Sequence, residues 1–181
     1  MALWGISDAD ESKPKWLTDA DKKKVYADAS GWRFENPKSG ATDEILCAVS
    51  GLAVSIGSAD ITEIEFISTA FDKSEGGTLS VRVRFNEAVA VTGTPQLTVV
   101  NDQRANHTLS YASGTGSNEL VFSLVIGAAN AATSDSDVLS IGANAMALNG
   151  GTVKDNGTST NATITNIAGI GTAAGTITVA A

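Results

Sequence analysis

The sequence contains few of the residues that carry chemistry or cross-link a small fold. Its 181 residues include one cysteine, Cys47, and one histidine, His107. A single cysteine excludes a disulfide within the chain, so stability must come from a hydrophobic core or from assembly with other subunits. We expect Cys47 to be a small buried hydrophobe. A net charge of −8 argues against binding to nucleic acid or anionic lipid, which both attract Lys and Arg.

Catalytic and targeting motifs are also missing. The sequence has no serine elbow, phosphate loop or zinc pattern to accompany His107, so we predict that the protein is not an enzyme. The opening MALWGISDADESKPKW lacks the basic start and apolar run of a signal peptide. No stretch is long enough to span a membrane. We therefore expect a protein made in a cytoplasm and soluble there.

Tryptophan is absent after residue 32, and this absence divides the chain. Trp4, Trp16 and Trp32 all lie in the first part, and each can bury about 200 Å². We predict a segment at 1–57 that is mostly irregular and anchors the protein to a partner or to the rest of the chain. It contains one short helix, which starts at the Thr18 capping box and extends to about residue 29.

Residues 58–181 predict a separate antiparallel β-sandwich. Apolar residues alternate with polar residues from Leu79 to Phe85, and turn sequences follow about every ten residues. This pattern is typical of two packed sheets. We expect one shared core made by Leu79, Val81, Val83, Phe85, Leu97, Val99, Tyr111, Leu120, Phe122 and Leu124. Arg82 and Arg84 then lie on the solvent face.

The interruption Thr92-Gly93-Thr94-Pro95 separates two apolar runs. Pro95 has no N–H and can open a strand but not lie inside a ladder. Gly93 can adopt a positive φ. The break is therefore predicted to be scaffold, a sharp bend after Val91 before a strand that restarts at Gln96.

Further short strands are predicted at 44–56, where a helical interpretation remains open, and at 138–141, 145–148, 161–167 and 176–180. The last strand follows a Gly/Ala-rich stretch and alternates Ile177 and Val179 with threonines. We expect these two side chains to face a core and the strand to lie along an open sheet edge. The edge belongs either to this chain or to a neighbour, so both residues are also candidate interface residues.

Asp135 and Asp137, with Asp155 from a neighbouring loop, are the metal-like cluster of the sequence. Hard oxygen ligands on loops suit calcium. Aspartate also forms turns without any metal, and the chain has no EF-hand pattern. We favour turn formation and predict no cofactor, with calcium as the alternative.

The stretch LSVRVRFNEAVAVTGTPQLTV…LSYASGTGSNELVFSLVI resembles the bacterial immunoglobulin-like repeats of large cell-surface and calcium-associated proteins. The matching residues are Phe85, Glu87, Val89, Val91, Thr92, Gly93, Pro95, Leu97, Tyr111, Ser113, Gly114, Gly116, Leu120 and Phe122. The resemblance covers about two thirds of the chain. It implies an immunoglobulin-like sandwich and little about ligands.

The opening MALWG, with DADESKPKWLTDADKKKVYADASGW, resembles the N-termini of virion structural proteins from tailed phages of marine cyanobacteria. The resemblance implies a segment that anchors the protein to a virus particle. Together with the missing catalytic motifs and the immunoglobulin-like module, it leads us to expect a capsid decoration or cement protein, or an accessory tail component, that contacts other virion proteins and its own copies. The alternative is an adhesin or receptor-binding module that recognises a host surface glycan. Few aromatic residues lie on the predicted loops, which favours the structural role.

Overall fold

The computed structural model describes residue 13 and residues 16–28, 31–36, 42–48, 58–128 and 133–181. Within these residues the chain is mainly β, with two short helices, α1 (Asp19–Lys22) and α2 (Ala168–Ala173). The strands are β1 (Val25–Asp28), β2 (Gly31–Phe34), β3 (Glu44–Ala48), β4 (Ile61–Phe66), β5 (Phe71–Asp72), β6 (Gly77–Thr92), β7 (Gln96–Asn101), β8 (His107–Ser113), β9 (Ser117–Ile126), β10 (Val138–Ser140), β11 (Met146–Ala147), β12 (Thr152–Asp155) and β13 (Ile177–Ala180).

Strand β6 is the centre of the sheet. The strands pair in the order β3-β2-β1-β6-β9-β8-β7-β10-β13-β5, while β4 and β12 also pair with β6 and β11 pairs with β7. The first part of β6 lies between β4 and β9, and its last residues pair with β12. The β6–β9 register shifts between Arg84 and Val89, where this change of partner occurs. One 16-residue strand therefore joins several parts of the sheet.

The predicted core is confirmed. Eight of its ten side chains are buried in one cluster, and Tyr111 and Leu124 pack against it half-buried. The rings of Tyr111 and Phe122 meet edge to face with centroids 6.1 Å apart. The alternation from Leu79 to Phe85 placed these side chains correctly because a strand sends successive residues to opposite faces.

The sharp bend at 92–95 and the restart of a strand at Gln96 are also confirmed. β6 ends at Thr92 and β7 begins at Gln96. Gly93 has φ +72°, and an added Cβ would lie 2.8 Å from the Cα of Gly151. The turn therefore needs glycine both for its conformation and for the close approach of the neighbouring chain.

The expectation of a mostly irregular segment at 1–57 is wrong for its described residues. Thr18 caps α1 as predicted, accepting a hydrogen bond from the Asp21 N–H at 3.1 Å. The helix ends at Lys22 rather than near residue 29, because Val25 to Asp28 pair as a strand with Gly31 to Phe34. β3 then pairs with β2, which confirms a strand at the start of 44–56. Residues 49–57 lie outside the described residues.

In the C-terminal third, the strands expected at 138–141 and 145–148 are confirmed by β10 and β11, while one further expectation is wrong and the last strand is confirmed. The strand expected at 161–167 is wrong, because only isolated bridges form, at Asn161 and Thr163, before α2. Strand β13 is confirmed. It pairs with β10 on one side and β5 on the other, and the side chains of Ile177 and Val179 are buried in the main core. The sheet edge that receives it therefore belongs to the same chain.

Candidate functional site

A small β-unit precedes the main sheet and has its own core. We call residues 16–28, 31–36 and 42–48, with α1 and β1–β3, the N-terminal unit. Val25 and Trp32 are buried at its centre. Partly buried apolar side chains pack around them, namely Leu17, Phe34, Leu46 and Cys47. This core forms because β1 and β2 pair antiparallel and bring the two side chains together.

The three candidate tryptophans have different positions. Trp32 is buried in the core of its own unit. The Trp16 side chain is 67% exposed, and Ile45 on β3 is 59% exposed. Trp4 lies outside the described residues. Of the described tryptophans, Trp16 is therefore the one that presents an apolar surface to the surroundings.

The N-terminal unit contacts the main sheet through one backbone pairing and a charged cluster. Ala27 of β1 pairs in parallel with Glu87 of β6. Nearby, Glu35, which follows β2, brings its Oε2 atom to 3.3 Å from the Arg84 Nε. Lys23 places its ammonium 3.5 Å from the Glu63 carboxylate.

Arg84 is the centre of a group of side chains that we call the Glu–Arg cluster. Its members are Glu35, Glu63, Glu65, Glu119, Arg82 and Arg84. Arg84 donates to Glu63 at 2.7 Å and to Glu119 at 2.8 Å, and its side chain is only 8% exposed. Arg82 pairs with Glu65 and Glu119. All members of the cluster except Glu63 line a cleft of about 450 Å³, together with Lys24 and Asn36.

The solvent-face prediction for Arg84 is therefore wrong, although its direction away from the core is right. The N-terminal unit covers this part of the outer face, and a buried guanidinium needs carboxylate partners there. Alternation along β6 predicted which face Arg84 lies on. Nothing in the sequence pattern indicated that a segment about fifty residues earlier, ending at Glu35, covers that face.

The proposed calcium ligands do not come together. Asp135 is exposed, whereas the buried Asp137 accepts hydrogen bonds from the Asn101 Nδ2 at 2.9 Å and the Ser134 N–H at 2.8 Å. These bonds, with the Asn101 bond as the largest influence, lower the pKa of Asp137. Across the described ranges, no three His, Cys, Asp or Glu side chains are grouped to share a metal ion.

Asp155 stabilises its own turn. Its Oδ1 accepts from the N–H groups of Gly157 at 2.7 Å and Thr158 at 2.6 Å. Burial would raise the pKa of Asp155, but a hydrogen bond shared with Glu87 and the hydrogen bonds donated by the turn lower it overall. The turn-forming interpretation of this residue therefore accounts for its contacts.

His107 lies inside the fold. It is buried, and its Nε2 is 3.2 Å from the Thr133 hydroxyl. Burial lowers the pKa of the imidazole, which Asp137 partly offsets, so the neutral form is favoured. No helix in the described parts of the chain is long and apolar enough to cross a membrane.

Comparisons with protein-family models, curated proteins and solved structures find no match to this chain.

Proposed function

We propose that this protein is a non-enzymatic structural component of a tailed-phage virion, built on an immunoglobulin-like sandwich. Its role is that of a capsid decoration or cement protein or an accessory tail component. It is made in the host cytoplasm and assembles with other virion proteins and with its own copies. The proposal rests on the two resemblances of the sequence together with the surface of the N-terminal unit.

The observation that carries the proposal is the exposed indole of Trp16. An indole exposed on a unit that already has a packed core is surplus to folding, and tryptophan is enriched among residues that dominate binding energy. The exposed Ile45 adds apolar area to the same unit. We therefore assign the contact with the particle to the N-terminal unit, with Trp16 as its anchor.

The positions of the other aromatic rings favour this role over the glycan-binding alternative. Residues 58–181 contain five aromatic residues, which are buried in the main core or packed against it: Phe66, Phe71, Phe85, Tyr111 and Phe122. Sugar-binding platforms use exposed aromatic faces. The aromatic rings of residues 58–181 therefore contribute to the core and not to an exposed binding face.

The test replaces the anchor in the full-length protein. The variant Trp16→Ala and the control Val125→Ala are produced by the phage that encodes the chain, and copies per particle are counted by quantitative mass spectrometry. Val125 is 77% exposed on β9, so Val125→Ala removes exposed apolar surface outside the N-terminal unit. Losing an anchor worth about 2 kcal/mol or more lowers affinity about thirty-fold.

We expect many copies of the wild type and of Val125→Ala per particle and few of Trp16→Ala, with unchanged melting temperatures for all three purified proteins. Absence of the wild type from purified particles would contradict the virion role. Full incorporation of Trp16→Ala would contradict the anchor alone.

A further inference from the structure

Glu35 is the carboxylate that the N-terminal unit adds to the Glu–Arg cluster. Its backbone N–H donates to the Lys24 carbonyl at 3.0 Å, which fixes the residue where it leaves β2. Its side chain is 17% exposed, and its Oε2 lies 3.3 Å from the Arg84 Nε. The contact between Glu35 and Arg84 therefore depends on whether the unit lies against β6.

The charges of the cluster balance without a charge on Glu35. Among the side chains in its ion pairs, Glu63, Glu65 and Glu119 supply three negative charges. Arg82 and Arg84 supply two positive charges, and Lys23 of the N-terminal unit, which pairs with Glu63, supplies the third. An ionised Glu35 is a fourth carboxylate. Lys24 also lines the cleft, but its ammonium forms no ion pair with a carboxylate of the described residues.

The environment of Glu35 favours its neutral form. The pKa of Glu35 is raised from 4.5 to about 7, and burial is the largest cause. The charge of Glu119 and a hydrogen bond with that carboxylate act in the same direction, whereas Arg84 and Arg82 act in the opposite direction. A protonated Glu35 can donate to Glu119, whereas an ionised Glu35 would face Glu119 as a like charge.

We propose that Glu35 and the Glu–Arg cluster form a pH-sensitive latch, which holds the N-terminal unit on β6 while Glu35 is protonated and weakens as Glu35 ionises. The latch depends on the folded chain alone and stands whether or not the protein is part of a virion. Its consequence is that the orientation of the exposed Trp16 relative to the main sheet is coupled to pH.

The sign of the effect follows from proton linkage. The docked unit holds a proton on Glu35 up to about pH 7, and the undocked unit releases it near the ordinary pKa of 4.5. Docking is therefore tightest in acid and is lost progressively as pH rises through 7. These two pKa values predict a docking constant that falls about ten-fold between pH 6 and pH 8.

Native-state hydrogen exchange, followed by NMR on the full-length protein, tests the latch. The reporter amides are those that join β1 to β6 around Ala27 and Glu87. The reference amides lie in the β6–β9 pairing around Leu79 and Leu124. After correction for intrinsic exchange rates, protection of the reporters should fall about ten-fold from pH 6 to pH 8, while protection of the references stays constant.

Two variants separate the latch from a general pH effect. Glu35→Gln keeps a neutral hydrogen-bond donor toward Glu119 and needs no proton uptake to dock. Its reporter protection should be the same at pH 6 and pH 8 and about thirty-fold above that of the wild type at pH 6. Glu44→Gln removes a charge from the exposed start of β3 in the same unit and should behave like the wild type.

A pH-independent reporter signal in the wild type, or a pH dependence that survives in Glu35→Gln, would overturn the latch. The carboxyl carbon shift of Glu35 in the wild type gives a second measure that needs no variant. A midpoint near 7 supports the latch, and a midpoint near 4.5 overturns it.

Discussion

At the scale of single residues, Arg84 shows how position decides the role of a charge. Arg82 and Arg84 have the same residue type and face the same side of β6. The Arg82 side chain is 31% exposed, whereas that of Arg84 is 8% exposed and touches carboxylates from three different parts of the chain. Burial makes the second guanidinium much harder to remove, because its partners would remain buried without a counter-charge.

We therefore expect Arg84→Ala to lower the free energy of unfolding by about 3–5 kcal/mol. The matched variant Arg82→Ala should cost about 1 kcal/mol or less, since water screens a half-exposed pair. Urea denaturation of both variants at one pH, followed by circular dichroism, measures the difference. An equal decrease in the free energy of unfolding for the two variants would mean that the burial of Arg84 does not add to stability.

At the scale of elements, α2 shows how closely an irregular-looking stretch can pack. The Gly/Ala-rich sequence before β13 forms a six-residue helix against β4. Gly171 is buried, and an added Cβ would lie 2.3 Å from the Ile141 carbonyl oxygen. On the same helix, a Cβ at Gly169 would lie 3.9 Å from its nearest neighbour, Ile167. Gly171 therefore permits α2 to approach the backbone at Ile141 closely, whereas the Cβ position of Gly169 has space around it.

This difference predicts opposite signs for the same substitution in one helix. Gly169→Ala should stabilise the protein by about 0.5–1 kcal/mol, because alanine restricts the unfolded chain and favours the helix. Gly171→Ala should destabilise it by about 1–3 kcal/mol, because the new methyl group collides with backbone that must move. Thermal melts of the two variants compare them directly, and stabilisation by both would contradict the close packing of α2.

At the scale of the whole molecule, the described residues form two hydrophobic cores of unequal size. The described residues buried in the main core lie between Ala59 and Val179, and the small core consists of Val25 and Trp32 with their neighbours. The two are joined by the Ala27–Glu87 pairing, the contact of Glu35 with Arg84 and the ion pair of Lys23 with Glu63. The larger core thus contains no side chain from the N-terminal unit.

We predict that residues 58–181 fold without the first 57 residues. The fragment should give dispersed amide resonances and a cooperative melt, at lower stability than the full chain because Arg84 loses Glu35 and its cover. It should also lose the reporter protection and the particle incorporation that depend on the N-terminal unit. A fragment with collapsed, undispersed resonances would show that the unit is required for folding.

The sequence by itself determined the features that depend on a short-range pattern of residues. Alternation placed Val81, Val83 and Phe122 in the core, the Thr92–Pro95 break ended a strand, and the Thr18 capping box started a helix. These features depend on neighbouring residues, so they are readable without the fold. The alternation of Ile177 and Val179 likewise predicted β13, but not which sheet edge would receive it.

Only the tertiary structure decided which surfaces are covered. The start of the chain was expected to be irregular, but its described residues form strands. β1 pairs with β2 and β6, and these pairings outweigh the local helical propensity of its sequence. The tertiary structure buried Arg84 under a segment remote in sequence and brought Glu35 beside Glu119. Those contacts join residues up to 84 positions apart, a separation over which no local pattern specifies pairing. The local sequence determined where strands form and which side chains face the core. Long-range packing determined which charged side chains meet.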